Sequence, residues 1–193
     1  EGDTFPFGMQ VENCRAGRCF TEAKERYGCA AIFREVEAFN AAHAAVKKGA
    51  ALMPVCFGIS FTNSILNQAG ALVHVYTDGS VGVSTGAVEM GQGVNMKILQ
   101  TAARTFSIDP GRVKVETTNT SRVANTSPTA ASTGADMNGK AAEIACQQIL
   151  ERLKKVAAEQ LDRAGADDIE IKDEQVYCLG KDAGITWQEL VSR

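Results

Sequence analysis

Apolar residues recur at helical spacing in three stretches of the chain and alternate in two others, so the pattern predicts a mixture of helices and strands. Between Cys19 and Lys48 helix formers dominate, with Val36, Phe39, His43 and Val46 spaced 3, 4 and 3 apart. Gly49 after Lys47-Lys48 is a helix-stop signal, and one or two helices are expected here. His43 lies on that stripe and reads as a partly buried structural histidine rather than a catalytic one. Ala51 to Phe61 is mostly apolar with Pro54 inside it, which predicts an edge or bulged strand running into a turn at Thr62-Asn63-Ser64.

Alternation is clearest from Ala71 to Thr77 and from Ser80 to Ser84, on either side of Asp78-Gly79. That dipeptide suits a type I′ turn, so a β-hairpin is expected. A glycine-rich turn, Gly86 to Gly93, then leads into a helix carrying Val94, Ile98, Ala102 and Phe106. Val113 to Glu116 reads as a strand, and Ala142, Ala145, Ile149, Leu153 and Val156 mark a long helix stopped by Gly165. Ile169 to Cys178 predicts a short hairpin turning at Asp173-Glu174. Strands and helices alternate, so the class is α/β or α+β with a mixed sheet, a hairpin and long packing helices. Residues 1–193 are read as one domain, with 1–50 as a helical N-terminal lobe.

Composition narrows the function more than the fold. The 193 residues are 45% hydrophobic and 22% charged, the balance of a globular chain long enough to bury a core without disulfides. Lys and Arg number 20 against 23 Asp and Glu, with no dense basic run, so a nucleic-acid partner is not expected. No apolar stretch approaches the roughly 18 residues of a membrane span, and a cytoplasmic chain is expected. Glu1 at the start and the helix opening at Trp187 near the end suggest a piece of a longer polypeptide.

Cys14, Cys19, Cys29, Cys56, Cys146 and Cys178 are scattered and read as reduced buried thiols. Cys14 and Cys19 open like a plant-type iron–sulfur motif, but the third ligand position holds Glu22. With His43 and His74 the only histidines, no protein-ligated metal is expected.

Two loops are candidates for chemistry. Residues 117–134 are rich in Thr, Ser, Asn and Ala and open directly into the long helix. Such a segment is either a solvated linker or a backbone that approaches a ligand closely, with Ser132 and Thr133 offering N–H groups and hydroxyls to an anion. Gly91-Gln92-Gly93 is similar, although Met96 stands where a dinucleotide-binding glycine would be needed. Two loops that each open a helix can converge on one polyanionic ligand, and a phosphate-bearing cofactor fits that arrangement.

Several motifs then occur in one order and spacing. They are Phe57-Gly58-Ile59-Ser60-Phe61-Thr62, Leu66 to Ser80, Glu89-Met90-Gly91-Gln92-Gly93, and Asn125 to Ser132. Together they resemble the molybdenum-binding region of the xanthine dehydrogenase and aldehyde oxidase family. The resemblance implies part of a molybdopterin hydroxylase that oxidises a purine or aldehyde carbon with oxygen from water. It implies molybdenum-molybdopterin as cofactor, FAD and [2Fe-2S] clusters in partner domains or subunits, and a dimeric assembly.

By the same resemblance Met90, Gly91, Gln92, Gly93, Ala131, Ser132 and Thr133 contact the cofactor, and Phe61, Thr62, Ala130 and Ala131 face the substrate. The chain departs from the family at Gly86-Ala87-Val88, Asn95-Met96 and Ser132-Thr133-Gly134-Ala135. The family's substrate-binding arginine and catalytic carboxylate have no counterpart here, so the chain is expected to supply contacts but no catalytic base and to be inactive alone. The alternative is a non-catalytic assembly module of the same fold without molybdenum.

Overall fold

The computed structural model describes residues 2–6, 8–55, 58–116, 118–123, 126–162 and 165–193. Cys56, and the Phe57 and Asn125 of the quoted motifs, lie outside them. The chain divides into two compact units, Glu1–Phe57 and Gly58–Arg193.

In Glu1–Phe57 two helices, α1 (Ala16–Arg26) and α2 (Cys29–Ala42), are joined through Gly28 at φ 58°. Cys29 is the one buried residue of the two. The expected helical stripe therefore has little to pack on. The helix ends at Ala42 rather than at Gly49, and His43 is exposed, its ring stacked on Phe39 at 3.9 Å. Lys47 donates to the carbonyls of Asn40 and His43, so a lysine closes the helix end that a glycine was expected to stop. No strand forms among the described residues of 51–61, where Pro54 lacks an N–H to donate to a ladder. Cys14 and Cys19 are exposed rather than buried.

In Gly58–Arg193 the sheet order is β1 (Ala71–Val75), β2 (Val81–Thr85), β3 (Val113–Val115), with β1 antiparallel and β3 parallel to the central β2. A parallel neighbour needs a crossover, and α3 (Val94–Phe106) supplies it. All of β2 is buried. Its Val81 and Val83 meet the core, and Gly82, opposite His74, leaves room for the Tyr76 ring, which a Cβ there would touch at 3.4 Å.

The hairpin is present, but β1 and β2 are joined by residues 76–80, with Tyr76 N–H donating to the Ser80 carbonyl. Asp78 accepts from the Ser80 N–H and hydroxyl, a side-chain turn that replaces the expected two-residue one.

The helix α3 buries Val94, Ile98, Ala102 and Phe106, the stripe its spacing predicts. The long helix α4 (Gly134–Gln160) lies against it with Asn138, Gly139, Ala142 and Cys146 buried. Burial pushes the Cys146 thiol up to about 12, so it packs as an inert apolar group. The helix ends at Gln160, ahead of Gly165.

A second sheet follows: β4 (Ile169–Lys172), β5 (Gln175–Cys178) and β6 (Lys181–Thr186), an antiparallel meander, then the short α5 (Trp187–Val191). The β4–β5 hairpin turns as expected at Asp173-Glu174, both at positive φ, the I′ signature that Asp78-Gly79 does not adopt. The sequence pattern missed β6, whose charged Lys181 and Asp182 and side-chain-free Gly184 hide its period.

Glu174 joins the pieces. Its carboxylate accepts from Arg112 Nε at 2.7 Å, Arg112 Nη2 at 3.0 Å and the Asp109 N–H, while its main chain bonds Ser107 and Trp187. Trp187 is fully buried against Phe106, ring centroids 5.3 Å apart, and its Nε1 donates to the Gly79 carbonyl at 2.8 Å.

Trp187→Phe leaves that carbonyl unpaired and opens space where the larger ring was buried, so a loss of at least about 1–3 kcal/mol in unfolding free energy is expected by denaturant titration. The Arg112 guanidinium holds the Glu174 carboxyl below its ordinary 4.5. The stability it contributes is complete above the unfolded-state value and is lost as pH falls through the lower folded-state value. Glu174→Gln should therefore be less stable at neutral pH and show a shallower decline on acidification below 4.5 than the parent chain.

Candidate functional site

Two loops meet where α3 and α4 begin. The first, residues 86–93, runs out of β2. Gly91 and Gly93 adopt φ of 97° and 77°, and a Cβ at either would meet no atom within 4 Å. Glycine is needed there for the path of the chain, and the space above the turn stays open. The Glu89 carboxylate accepts from the N–H groups of Gly91, Gly93 and Asn95 and so caps α3 from within the loop. The Asn95 N–H, then that of Gly93, hold its carboxyl below the ordinary 4.5. The Gln92 amide closes the same turn, taking the Met90 N–H at 2.6 Å and donating to the Val88 carbonyl at 2.8 Å. One N–H and one lone pair of that amide remain for a ligand.

The second loop, residues 126–133, is tied to the first. The Val88 N–H donates to Thr129 Oγ1 at 2.9 Å. Gly86 lies so close to Thr126 that a Cβ would overlap that side chain, with Thr126 Cγ2 at 3.0 Å. Ala131 and Ser132 both have left-handed backbones, φ 51° and 56°, a conformation that costs roughly 1–2 kcal/mol per residue for anything but glycine. Thr133 holds the turn, its N–H and hydroxyl both donating to the Ala130 carbonyl. The side chain of Thr133, the N-cap residue of α4, makes no capping bond to the helix.

Between the loops lies a cleft of about 400 Å³ lined by Met90, Gln92, Lys97, Thr129, Ala130 and Ser132 together with Val94, Gly134 and Ala135. Met90, Gln92, Ala130 and Ser132 of the expected set are thus brought together. Gly91, Gly93, Ala131 and Thr133 shape the loops without lining the cleft. Phe61 and Thr62 also lie outside its lining. Their segment meets the second loop through the Ser60 N–H, which donates to the Ala131 carbonyl at 3.0 Å, and Asn67 clamps both main-chain groups of Phe61.

Sequence reasoning assigned no role to Glu89, Lys97, Thr129 or Asn67. An acidic residue just ahead of a helix start was a legible signal for Glu89. Thr129 and Asn67 act on residues 41 and 6 positions away and carried none. Amide, hydroxyl and ammonium donors, with no carboxylate among the described lining residues, suit an anionic ligand that accepts hydrogen bonds.

A family model described as a molybdopterin cofactor-binding domain matches residues 22–193. The chain is 42% identical over 179 residues to the xanthine dehydrogenase/oxidase of Gallus gallus, covering 93% of this chain and 13% of that one. Over 154 residues it is 47% identical to the xanthine dehydrogenase/oxidase of Mus musculus, covering 80% and 12%. The chain thus spans about an eighth of the length of these relatives. Quinoline 2-oxidoreductase from Pseudomonas putida 86 has a similar fold, with a TM-score of 0.66 at 19% identity over 99% of this chain and 25% of its own. A Cu,Mo-CO dehydrogenase gives 0.57 at 24% identity over 65% and 16%.

The Glu89 clamp makes a direct prediction. The amide resonances of Gly91, Gly93 and Asn95 should titrate together with a midpoint below 4.5 and stop titrating in Glu89→Gln.

Proposed function

Because the chain belongs to the family of molybdopterin cofactor-binding domains, we propose that its two linked loops form one wall of the cofactor site in a xanthine dehydrogenase-like oxidoreductase. Met90, Gly91, Gln92, Gly93, Ala131, Ser132 and Thr133 are assigned to the cofactor, and Phe61, Thr62, Ala130 and Ala131 to the substrate side. The observation that carries the reading is the convergence of Met90, Gln92, Ala130 and Ser132, about 40 residues apart in sequence, on one cleft. The donors fit the group. Gln92 and Ser132 offer hydrogen bonds at two sides of the cleft, and the first turn of α4, which the Thr133 side chain leaves without a cap bond, begins beside Ser132.

When bound, the molybdenum centre supplies oxidative hydroxylation of a purine or aldehyde carbon with oxygen drawn from water. This chain's part is to hold and orient. The glycines let the backbone come close, the Glu89 and Thr129 bonds keep the loops in register, and Phe61 beside Thr62 offers a flat apolar surface with one polar anchor for a heterocycle. We assign no catalytic residue here; the base, and the FAD and iron–sulfur groups that take the electrons, belong to other parts of a dimeric cytoplasmic assembly. No helix among the described residues is long and apolar enough to cross a membrane.

Elemental mass spectrometry on the native full-length assembly, with a xanthine reduction assay on the same sample, tests the reading. Molybdenum near one per chain with bleaching by xanthine is expected; a folded assembly without molybdenum overturns it. Thr62→Ala should keep its molybdenum and lose roughly two- to ten-fold in kcat/KM for xanthine, the worth of one hydrogen bond.

A further inference from the structure

Lys97 lies one turn into α3 and, among the described residues lining the cleft, alone carries a charge. Its side chain is exposed, and no carboxylate among the described residues pairs with it. Glu89, in the loop ahead of α3, is committed to the N–H groups of Gly91, Gly93 and Asn95. Other clefts differ. The one at the far end of α3 sets Arg104 among Asp109, Asp173 and Glu174, and the one over the first sheet sets Arg122 against Glu116. Some surface lysines find carboxylates, as Lys114 does Glu116 and Lys140 does Glu143; what distinguishes Lys97 is that it lines a cleft in which no described carboxylate offsets its charge. A cation in a cleft of neutral hydrogen-bonding groups, with no described carboxylate beside it, attracts an anion.

The geometry points to Lys97 as the residue that pairs with an anionic, phosphate-class group of the ligand in this cleft. Met90 and Gln92 lie on the same side, and Thr129 and Ser132 face them from the second loop with hydroxyls that can donate to the same group. An ammonium on a flexible stem acts as a point charge that follows the anion, whereas the Gln92 amide is fixed by its two loop bonds. On this view Lys97 contributes affinity and the loops contribute orientation. The inference rests on the cofactor reading above, and it concerns binding rather than turnover.

The test uses the full-length assembly as wild type, Lys97→Met, Lys97→Arg and, as a control away from the cleft, Lys172→Met on β4. Each is dialysed against rising inorganic phosphate, and the molybdenum retained per chain is counted. Wild type should lose molybdenum as phosphate rises. Lys97→Met should lose it at phosphate concentrations at least about ten-fold lower, the worth of one charged hydrogen bond. Lys97→Arg and Lys172→Met should follow wild type. Thermal unfolding of the cofactor-free forms should be the same for wild type and Lys97→Met, which separates lost affinity from lost folding. Retention in Lys97→Met equal to wild type, or equal loss in Lys172→Met, overturns the inference while leaving the cofactor reading intact. A wild-type assembly without molybdenum overturns both.

Discussion

The close approach of α3 and α4 is the constraint on which the candidate site depends. In the first half of α4 none of the buried residues, Asn138, Gly139, Ala142 and Cys146, is larger than asparagine, and a Cβ on Gly139 would sit 3.9 Å from Thr101 Oγ1 of α3. At the loop end a Cβ on Gly134 would sit 3.8 Å from Val94 Cγ2, so the two helices begin side by side. Two helix starts held in contact bring the loops that precede them together, and the cleft follows from that packing. Small side chains on α4 let the two helices lie close, which is what a site built on two loops needs.

The loops themselves are held by polar bonds, and these leave few donors over. Glu89 occupies the start of α3, the Thr133 hydroxyl is turned onto Ala130, and Gln92 spends half of its amide on its own turn. Among the described residues lining the cleft, the groups that remain open are the Ser132 hydroxyl, the Thr129 hydroxyl proton, the rest of the Gln92 amide and Lys97. Ala131 and Ser132 keep left-handed backbones although glycine would be the easier choice. Strain of this kind persists where surrounding bonds over-determine a conformation, and here they come from Ser60, Ala130 and Thr133.

At the other end of α3, Glu174 and Trp187 fasten the second sheet to the first. The carboxylate pairs with Arg112 just before β3, and the indole reaches the hairpin loop at Gly79. One side of Gly79 is filled by these two residues, since a Cβ there would meet Arg112 Nη1 at 2.9 Å and the Trp187 ring at 3.2 Å. The hairpin loop is therefore longer than its Asp-Gly dipeptide suggests, because its shape is set by what packs on it as well as by its own residues.

Much was legible in the chain alone. The apolar stripe of α3, the hairpin strands, β3, the Asp173-Glu174 turn and the two glycine- and serine-rich loops follow from local spacing, and the quoted motifs pointed to the molybdopterin-binding family. Local patterns report local preferences faithfully where a core lies within reach of the stripe. They failed at His43, whose helix finds little to bury against, at 51–61, where apolar residues form no ladder, and at β6, where polar residues pair because the neighbouring strand offers its edge. Only the tertiary structure decided that Thr129 ties the two loops, that Gln92 is partly committed to its own turn, and that Lys97 is the one charged residue among those described in the lining of the cleft. Each of these depends on which distant groups become neighbours, and that is settled by the burial of α3 against α4 rather than by any residue's own preference.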